Sequence, residues 1–434
     1  MPDIDRVFAE MKGQSGEDYT GSMRQFRSLV NSSPETLYND FSSAGSAAHS
    51  VSDFQPSRRN HGLVRTRSDP FKPNTTTIAP RTQPETPYSQ HMGIRWAPLN
   101  ISLKRRLQTL VVLLHTISIA FCLMSFFFCC AIPLFWPILF PYVIYISLFS
   151  KAATDGNLSR RNNFIRSLSI WKLFGSYFPA RLHRTVPLPP TRKYIFGYHP
   201  HGIISHGAFV AFATEGLGFS RLFPGITNTL LTLDSNFRLP FYRDWALAMG
   251  LGSVSRESCE NILSKGGMNR EGMGRAITIV IGGARESLDA QPHTLRLILR
   301  RRKGFVKLAI RTGADLVPVL AFGENELYEQ VNSDQHPLIH RFQMLVKSSM
   351  GFTIPLFHAR GVFNYDVGLM PYRRPLNIVV GRPIPVIQQS DRSKMDDAYI
   401  DELHEKYIQE LEKMWEEWKD TFAPNRISEL EIAS

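Results

Sequence analysis

The chain has 434 residues and a formal net charge of +12, which is unevenly spread: residues 1–98 carry 11 basic and 10 acidic side chains, residues 99–390 carry 33 and 15, and residues 391–434 carry 6 and 13. A positive middle attracts anionic lipid, nucleic acid or phosphorylated small molecules alike, and the long apolar stretch inside it disfavours nucleic acid. Of four cysteines, Cys122, Cys129 and Cys130 lie in that stretch and only Cys259 outside it, which excludes a disulfide scaffold and fits a reducing, cytosol-facing setting.

The length allows two or three average domains, but the uneven composition fits one catalytic domain with appendages. Residues 1–98 are rich in Ser, Pro, Asn, Thr and Gln and are predicted to be a disordered tail, because they offer too little apolar surface to offset ordering entropy. The start, Met1 to Glu17, is polar and mixed in charge, so no cleavable signal peptide is expected. Serines beside basic residues, as in Ser57-Arg58-Arg59 and Arg67-Ser68, are candidate phosphosites in an otherwise inert tail.

Residues 99–151 are predicted to form a membrane hairpin. Between Arg106 and Lys151 lie 44 residues without Lys, Arg, Asp or Glu, and one helical span needs about 20. Pro133, Pro137 and Pro141 interrupt the middle, so a turn is expected near residues 131–138. Lys104, Arg105 and Arg106 precede the stretch and Lys151, Arg160 and Arg161 follow it. Both flanks satisfy the positive-inside tendency only if both face the cytosol.

Residues 152–390 read as an α/β catalytic domain. Short apolar runs at 194–197, 229–233, 276–281, 316–321 and 377–380 are predicted strands. Helical spacing falls between them at 240–249 and 305–311. Alternation of this kind predicts a mixed, largely parallel sheet flanked by helices. In the last segment, 391–434, Tyr399, Leu403, Tyr407, Leu411, Met414 and Trp418 recur at three or four residues, the pattern of an amphipathic helix packed on its own domain. Neither internal repeats nor a Walker-type or GxGxxG loop is present.

The sharpest local feature is Tyr194-Ile-Phe-Gly-Tyr-His-Pro-His-Gly-Ile203, a strand ending in two histidines. Open α/β sheets bind ligands at the carboxyl ends of their strands, and a histidine there can serve as a general base near neutral pH. Pro200 and Gly202 constrain the turn and let backbone approach a ligand. Catalysis ranks ahead of purely structural histidines, and both ahead of a metal site, because zinc wants further ligands and only His206 is near in sequence.

These residues resemble the type 2 diacylglycerol acyltransferase family, which includes monoacylglycerol and wax-alcohol acyltransferases. His199-Pro200-His201-Gly202 matches its His-Pro-His-Gly signature, Tyr177-Phe178-Pro179 an upstream Tyr-Phe-Pro element, and Asn236-Phe237-Arg238 with Pro240 a following block. The long run Arg302 to Gly323, continued by Glu324-Asn325-Glu326, is the most specific match, and the likeness covers roughly residues 100–390. More distantly, the order of blocks is similar to glycerolipid acyltransferases with a His-x4-Asp motif, but counting from His201 the Asp position is His206.

The resemblance implies an acyl-CoA-dependent acyltransferase in which His201, with His199 beside it, activates the acceptor hydroxyl. Any acid orienting the base must come from elsewhere. Glu286, in a block corresponding to the family's Gly-Gly-x-x-Glu element, is the candidate to orient an imidazole or hold the hydroxyl, with a solvated turn carboxylate as the alternative. Arg300, Arg301, Arg302 and Lys303 are candidates for the phosphates of coenzyme A or for anionic headgroups, with Arg256 and Arg285 as weaker ones. Gly202, Asn236 and Arg238 complete the set that the motifs mark for substrate binding. No metal and no resident cofactor are expected, acyl-CoA being a co-substrate. The expected partners are acyl-CoA, diacylglycerol and the bilayer, with self-association left open. The expected place is the endoplasmic reticulum membrane, with both termini cytosolic, and the lipid-droplet surface. Rival readings are a non-enzymatic lipid-droplet protein, a metal-dependent lipid hydrolase, and a transferase for monoacylglycerol or fatty alcohol.

Overall fold

The computed structural model describes residues 94–98, 100–330, 357–389, 391 and 396–434. The tail reading for residues 1–98 lies almost wholly outside them.

Three helices open the described chain: α1 (Leu103–Thr116), α2 (Ser118–Cys130) and α3 (Trp136–Ile144). A turn and a short 3-10 helix, Pro133–Phe135, separate α2 from α3 where the prolines begin. A second break was not foreseen: α1 and α2 meet at a 65° bend at Ile117. No single helix among the described residues is long and apolar enough to cross a membrane, whereas this bent pair taken together has the length and apolar composition of a span. Leu107, Leu110, Leu114, Phe121, Phe127, Phe128, Ile138 and Phe140 all point outward. The inner side is tied down by polar contacts. Gln108 Nε2 donates to Ser176 Oγ at 2.8 Å, and the Tyr142 hydroxyl donates to Asp244 at 2.6 Å. The amide of Phe241 also donates to the Tyr142 hydroxyl.

After α4 (Ile170–Tyr177) come β1 (Arg181–Arg184), β2 (Lys193–His199), β3 (Thr227–Thr232), α5 (Tyr242–Ala248), β4 (Gly252–Ser253), α6 (Arg256–Ser264) and β5 (Arg275–Val280). There follow α7 (Gly283–Leu288), β6 (Arg296–Ile298), α8 (Gly304–Thr312), β7 (Ala314–Phe322), β8 (Glu329–Gln330), β9 (Phe357–His358) and β10 (Asn377–Val380). The chain ends in α9 (Asp397–Phe422) and β11 (Glu431–Ala433).

Seven strands form one sheet in the order β1-β10-β7-β2-β5-β3-β4, with every neighbouring pair parallel except β10 against β7. The mixed, largely parallel α/β architecture expected from the pattern is therefore present, and all five predicted strands occur within a few residues of their expected ends. Strands β1 and β4 were missed, since Arg-Leu-His-Arg and Gly-Ser carry no apolar run. Proline in a central strand usually costs a ladder bond. In β7 the carbonyl of Pro318 still accepts from the Gly381 amide, and pairing of β7 with the same segment resumes at Leu316 and Ile384, so the proline costs one bond at the end of β10 without ending the contact.

Side chains alternate across a strand, and this splits the core in two. On one face Tyr194, Phe196 and Tyr198 of β2 pack with Phe174, Phe209, Phe212 and Val112 of α1. On the other, Ile195 packs with Phe305, Tyr407, Leu411 and Trp415 of α8 and α9. The apolar helices and the C-terminal helix thus cover opposite faces of the same sheet. The same alternation sends Gly197 and His199 toward α9.

Candidate active site

All the parallel strands from β7 to β4 end along one edge. His199, Pro200, His201 and Gly202 leave β2 there; Gly282 to Glu286 leave β5, Asn236 and Arg238 leave β3, Arg256 leaves β4 and Glu324 leaves β7. Residues marked separately by the sequence are therefore brought to the rim where open α/β sheets bind ligands.

The two histidines have different surroundings. His199 is fully buried, and its Nε2 lies 3.0 Å from the Tyr407 hydroxyl. That hydroxyl spends its one proton on the Gly197 carbonyl, 3.1 Å away, so it accepts from His199 Nε2–H. His199 Nδ1 is left as a buried lone pair with no partner. Burial lowers the pKa of His199 to about 3, so the ring is neutral.

His201 is half-buried. Its Nδ1 sits 3.0 Å from the Gly202 carbonyl, which can only accept, so the proton is on Nδ1 and Nε2 carries the lone pair. Burial lowers this pKa too, keeping the imidazole uncharged and able to take a proton. The tautomer is set by the next residue's own carbonyl, a device that needs no acid.

Glu286 takes a different part from the one its spacing suggested. It is 2% exposed, and its two oxygens accept from backbone N–H groups, His201 at 2.6 Å and Ile298 at 2.8 Å. The carboxyl grips the main chain of the histidine turn and does not orient the imidazole. Desolvation raises its pKa to about 7, against lowering by those same two amides. Gly282 is needed beside it, since a Cβ there would stand 2.1 Å from the Glu286 carboxyl carbon.

A second buried acid was missed. Glu324 accepts from the Tyr198 hydroxyl at 2.6 Å and the Gly207 amide at 2.9 Å, and desolvation raises its pKa to about 7. It also explains Gly202, whose φ is +58° and whose absent Cβ would lie 2.7 Å from Glu324 Cγ. The only signal was its place at the end of the longest matching block. Tyr407 had none, being one apolar-stripe residue among several on α9. His206, at the position where an Asp was sought, is buried, with Nε2 2.8 Å from the Tyr328 hydroxyl and its ring stacked on Phe178 of the Tyr-Phe-Pro element.

The basic candidates divide. Asn236 Nδ2 donates to Thr232 Oγ1 and Arg238 pairs with Asp234, at the edge but turned to their own turn. Arg256 is exposed at the start of α6. In the 300–303 run, Arg300 donates to the Ile432 carbonyl, Arg302 to the Gly282 carbonyl, and Lys303 pairs with Asp401 of α9, while Arg301 is exposed. The run braces the Gly282 turn and the C-terminal segment. Burial pushes the Cys259 thiol up to about 12, the opposite of an activated nucleophile. Among the described residues no three His, Cys, Asp or Glu side chains are placed to hold a metal ion.

The model of the diacylglycerol acyltransferase family matches residues 126–433, well over half the chain. The chain belongs to this family. It is 49% identical over 339 residues to diacylglycerol O-acyltransferase 2A of Umbelopsis ramanniana, covering 78% of this chain and 93% of that one. It is 46% identical to diacylglycerol O-acyltransferase 1 of Schizosaccharomyces pombe, covering 76% and 92%. It is also 43% identical to 2-acylglycerol O-acyltransferase 1 of Bos taurus, covering 76% and 97%. The family block Arg302 to Gly323 spans α8 and β7, so it builds the strand beside β2.

Proposed function

We propose that this family member transfers an acyl group from acyl-CoA to the free hydroxyl of diacylglycerol, forming triacylglycerol, with His201 as general base. The observation that carries the mechanism is the His201 Nδ1 contact to the Gly202 carbonyl, which leaves Nε2 as a bare lone pair on a half-buried ring at the strand edge. In the reaction Nε2 takes the hydroxyl proton as the alcohol oxygen bonds to the thioester carbonyl carbon. The tetrahedral oxyanion then collapses, the C–S bond breaks, and the departing CoA thiolate takes the proton back from the imidazolium. The residue set needs no covalent acyl-enzyme and no metal, and acyl-CoA serves as co-substrate.

The outward apolar side chains of α1, α2 and α3, with basic residues on both flanks, support a hairpin that enters the bilayer and returns, leaving both termini cytosolic. The acceptor then never leaves the lipid. The endoplasmic reticulum and the lipid-droplet surface fit that topology. Likeness to the bovine 2-acylglycerol enzyme favours monoacylglycerol as the second acceptor reading.

The test is transfer from radiolabelled acyl-CoA in liposomes offering diacylglycerol, monoacylglycerol and fatty alcohol side by side. Triacylglycerol is the expected main product, and His201→Ala should cost about 10² to 10⁴ in rate. A variant working at near wild-type speed removes His201 from the role. No product with any acceptor removes the transferase.

A further inference from the structure

Trp96, Phe363, Val367 and Leu369 stand outward, Trp96 69% and Phe363 73% exposed, in two segments that the mechanism does not use: the stretch before α1 and the loop between β9 and β10. The two are stitched together. The Ala97 amide donates to the Phe363 carbonyl at 2.7 Å, the Tyr365 amide donates to the Arg95 carbonyl at 3.0 Å, and the Arg95 side chain pairs with Asp366. Arg373 then ties the loop to the first turns of α1, donating to Gln108 Oε1 at 2.8 Å, Thr109 Oγ1 at 2.9 Å and the Arg105 carbonyl at 3.0 Å. The four apolar side chains therefore sit at the root of the outward apolar stripe of α1, which begins at Leu103. Exposed apolar groups gathered in this way mark an interaction surface.

Charge identifies the partner. Residues 94–106 and 359–374 together carry seven basic side chains and one acidic one, Asp366, which Arg95 takes. Arg105 and Arg374 are exposed. Arg360 is 7% exposed, with its guanidinium 5.1 Å from the centre of the Tyr365 ring, and the Arg373 guanidinium lies 4.0 Å from the centre of the Tyr177 ring. Among the described residues none of these four arginines has a carboxylate partner. Burial, and after it the neighbouring charges of Arg105 and Arg360, lower the Arg373 pKa to about 10, which leaves it charged at neutral pH. Unpaired cations interleaved with Trp, Phe and Tyr are the composition of a surface that lies at the level of lipid headgroups.

We propose that the 359–374 loop and the residues leading into α1 form a headgroup-level seat for an anionic phospholipid leaflet, separate from the hairpin. The inference rests on α1 entering the bilayer, whose surface then meets the chain at this level. Its use follows from its place. The Tyr372 amide donates to the Leu327 carbonyl, and Asn377 of β10 pairs with Phe322 at the end of β7, so the loop rises from the rim that carries Glu324 and the histidine turn. Once seated, the loop holds that rim against the leaflet in which the acceptor is dissolved.

The test uses the full-length protein in liposomes, with Trp96 as the first reporter. The emission lost in Trp96→Phe is the Trp96 signal. It should be quenched by phosphatidylcholine that carries a nitroxide near its headgroup, and shielded from aqueous acrylamide. A Trp96 open to acrylamide, or shielded from both quenchers as in a contact between proteins, overturns the proposal. The second arm reads charge, as the KM for diacylglycerol at saturating acyl-CoA in phosphatidylcholine with and without phosphatidylglycerol. The wild-type KM should be lower on the anionic surface by roughly fivefold or more, the worth of at least one cation near it, and Arg105→Gln/Arg374→Gln should remove the difference. The ratio between the two surfaces is the reading, so a general loss of activity in the variant does not move it. Equal wild-type KM values on both surfaces, or a difference that the variant keeps, also overturn the proposal. Failure of the underlying hairpin reading would look different, as release of the wild type from the liposomes by carbonate.

Discussion

The Tyr407 hydroxyl, at the middle of α9, holds His199 Nε2 and the Gly197 carbonyl at once, at 3.0 Å and 3.1 Å across more than 200 residues of sequence. It is the contact through which the C-terminal helix fixes the strand end that carries the histidine turn. Tyr407→Phe keeps the ring against Phe305, 4.8 Å away, and strands His199 Nε2–H in a buried place. Stability should fall by about 1 to 3 kcal/mol, the usual cost of an orphaned buried donor. Turnover should fall with it, with both substrate KM values little changed. Chemical denaturation and steady-state kinetics on the same preparation would check this, and a kcat equal to wild type would separate His199 from any part in catalysis.

Glu286 should leave a mark on the pH dependence of stability. Its folded pKa, about 7, lies above the ordinary 4.5 because it is buried, so the folded chain holds a proton that the unfolded chain has released across that interval. The stability it contributes is fully present below pH about 4.5 and is lost as pH rises through about 7. In Glu286→Gln this slope disappears. The melting temperature of the variant relative to wild type should therefore climb between pH 5 and pH 7.5, whatever constant offset the lost amide contact adds. Parallel curves for the two proteins would show that Glu286 is ionised throughout.

Gly207 is packed against the second buried acid. A Cβ there would stand 2.3 Å from the Tyr198 hydroxyl and 2.5 Å from Glu324 Oε2, the two atoms of a 2.6 Å hydrogen bond. Gly207→Ala must push them apart. We expect a loss of about 1 to 3 kcal/mol, the range for overpacking a filled core, and a fall in activity through displacement of the Gly202 turn. Scanning calorimetry with an activity assay on the folded fraction measures both, and a neutral substitution would mean that the turn can give way.

Phe127 and Phe128 are each 65% exposed on α2. Under the hairpin reading they face acyl chains, and a lysine near the middle of a span costs about 2.5 to 3.5 kcal/mol on the insertion scale. Phe127→Lys/Phe128→Lys should shift the protein from the carbonate-resistant membrane fraction to the soluble fraction. Undiminished membrane retention would place this helix away from the bilayer core.

Much of this architecture could be read along the chain. The strands at 194–197, 276–281 and 316–321 announced themselves because a strand buried on both faces must be apolar throughout, and α9 did so because one face is wet and the other dry. His199, His201 and Glu286 were marked by motif, but motif gave Glu286 the wrong contact. A carboxylate three positions after two glycines can reach an imidazole or a main-chain amide equally well, and only the placement of β2 beside β5 put the amide of His201 within its reach.

The order of residues by itself marked five strands of the sheet, the C-terminal helix, the long apolar segment, the family and the histidine turn, since each depends on local period or on a contiguous motif. Tertiary structure alone decided which strands are neighbours, which face of the sheet each helix covers, and that Tyr407, Glu324 and Gly202 meet the histidine turn. Those relations join positions up to 210 residues apart. Hydrogen bonds at such separations depend on burial and register, which no short window of sequence contains.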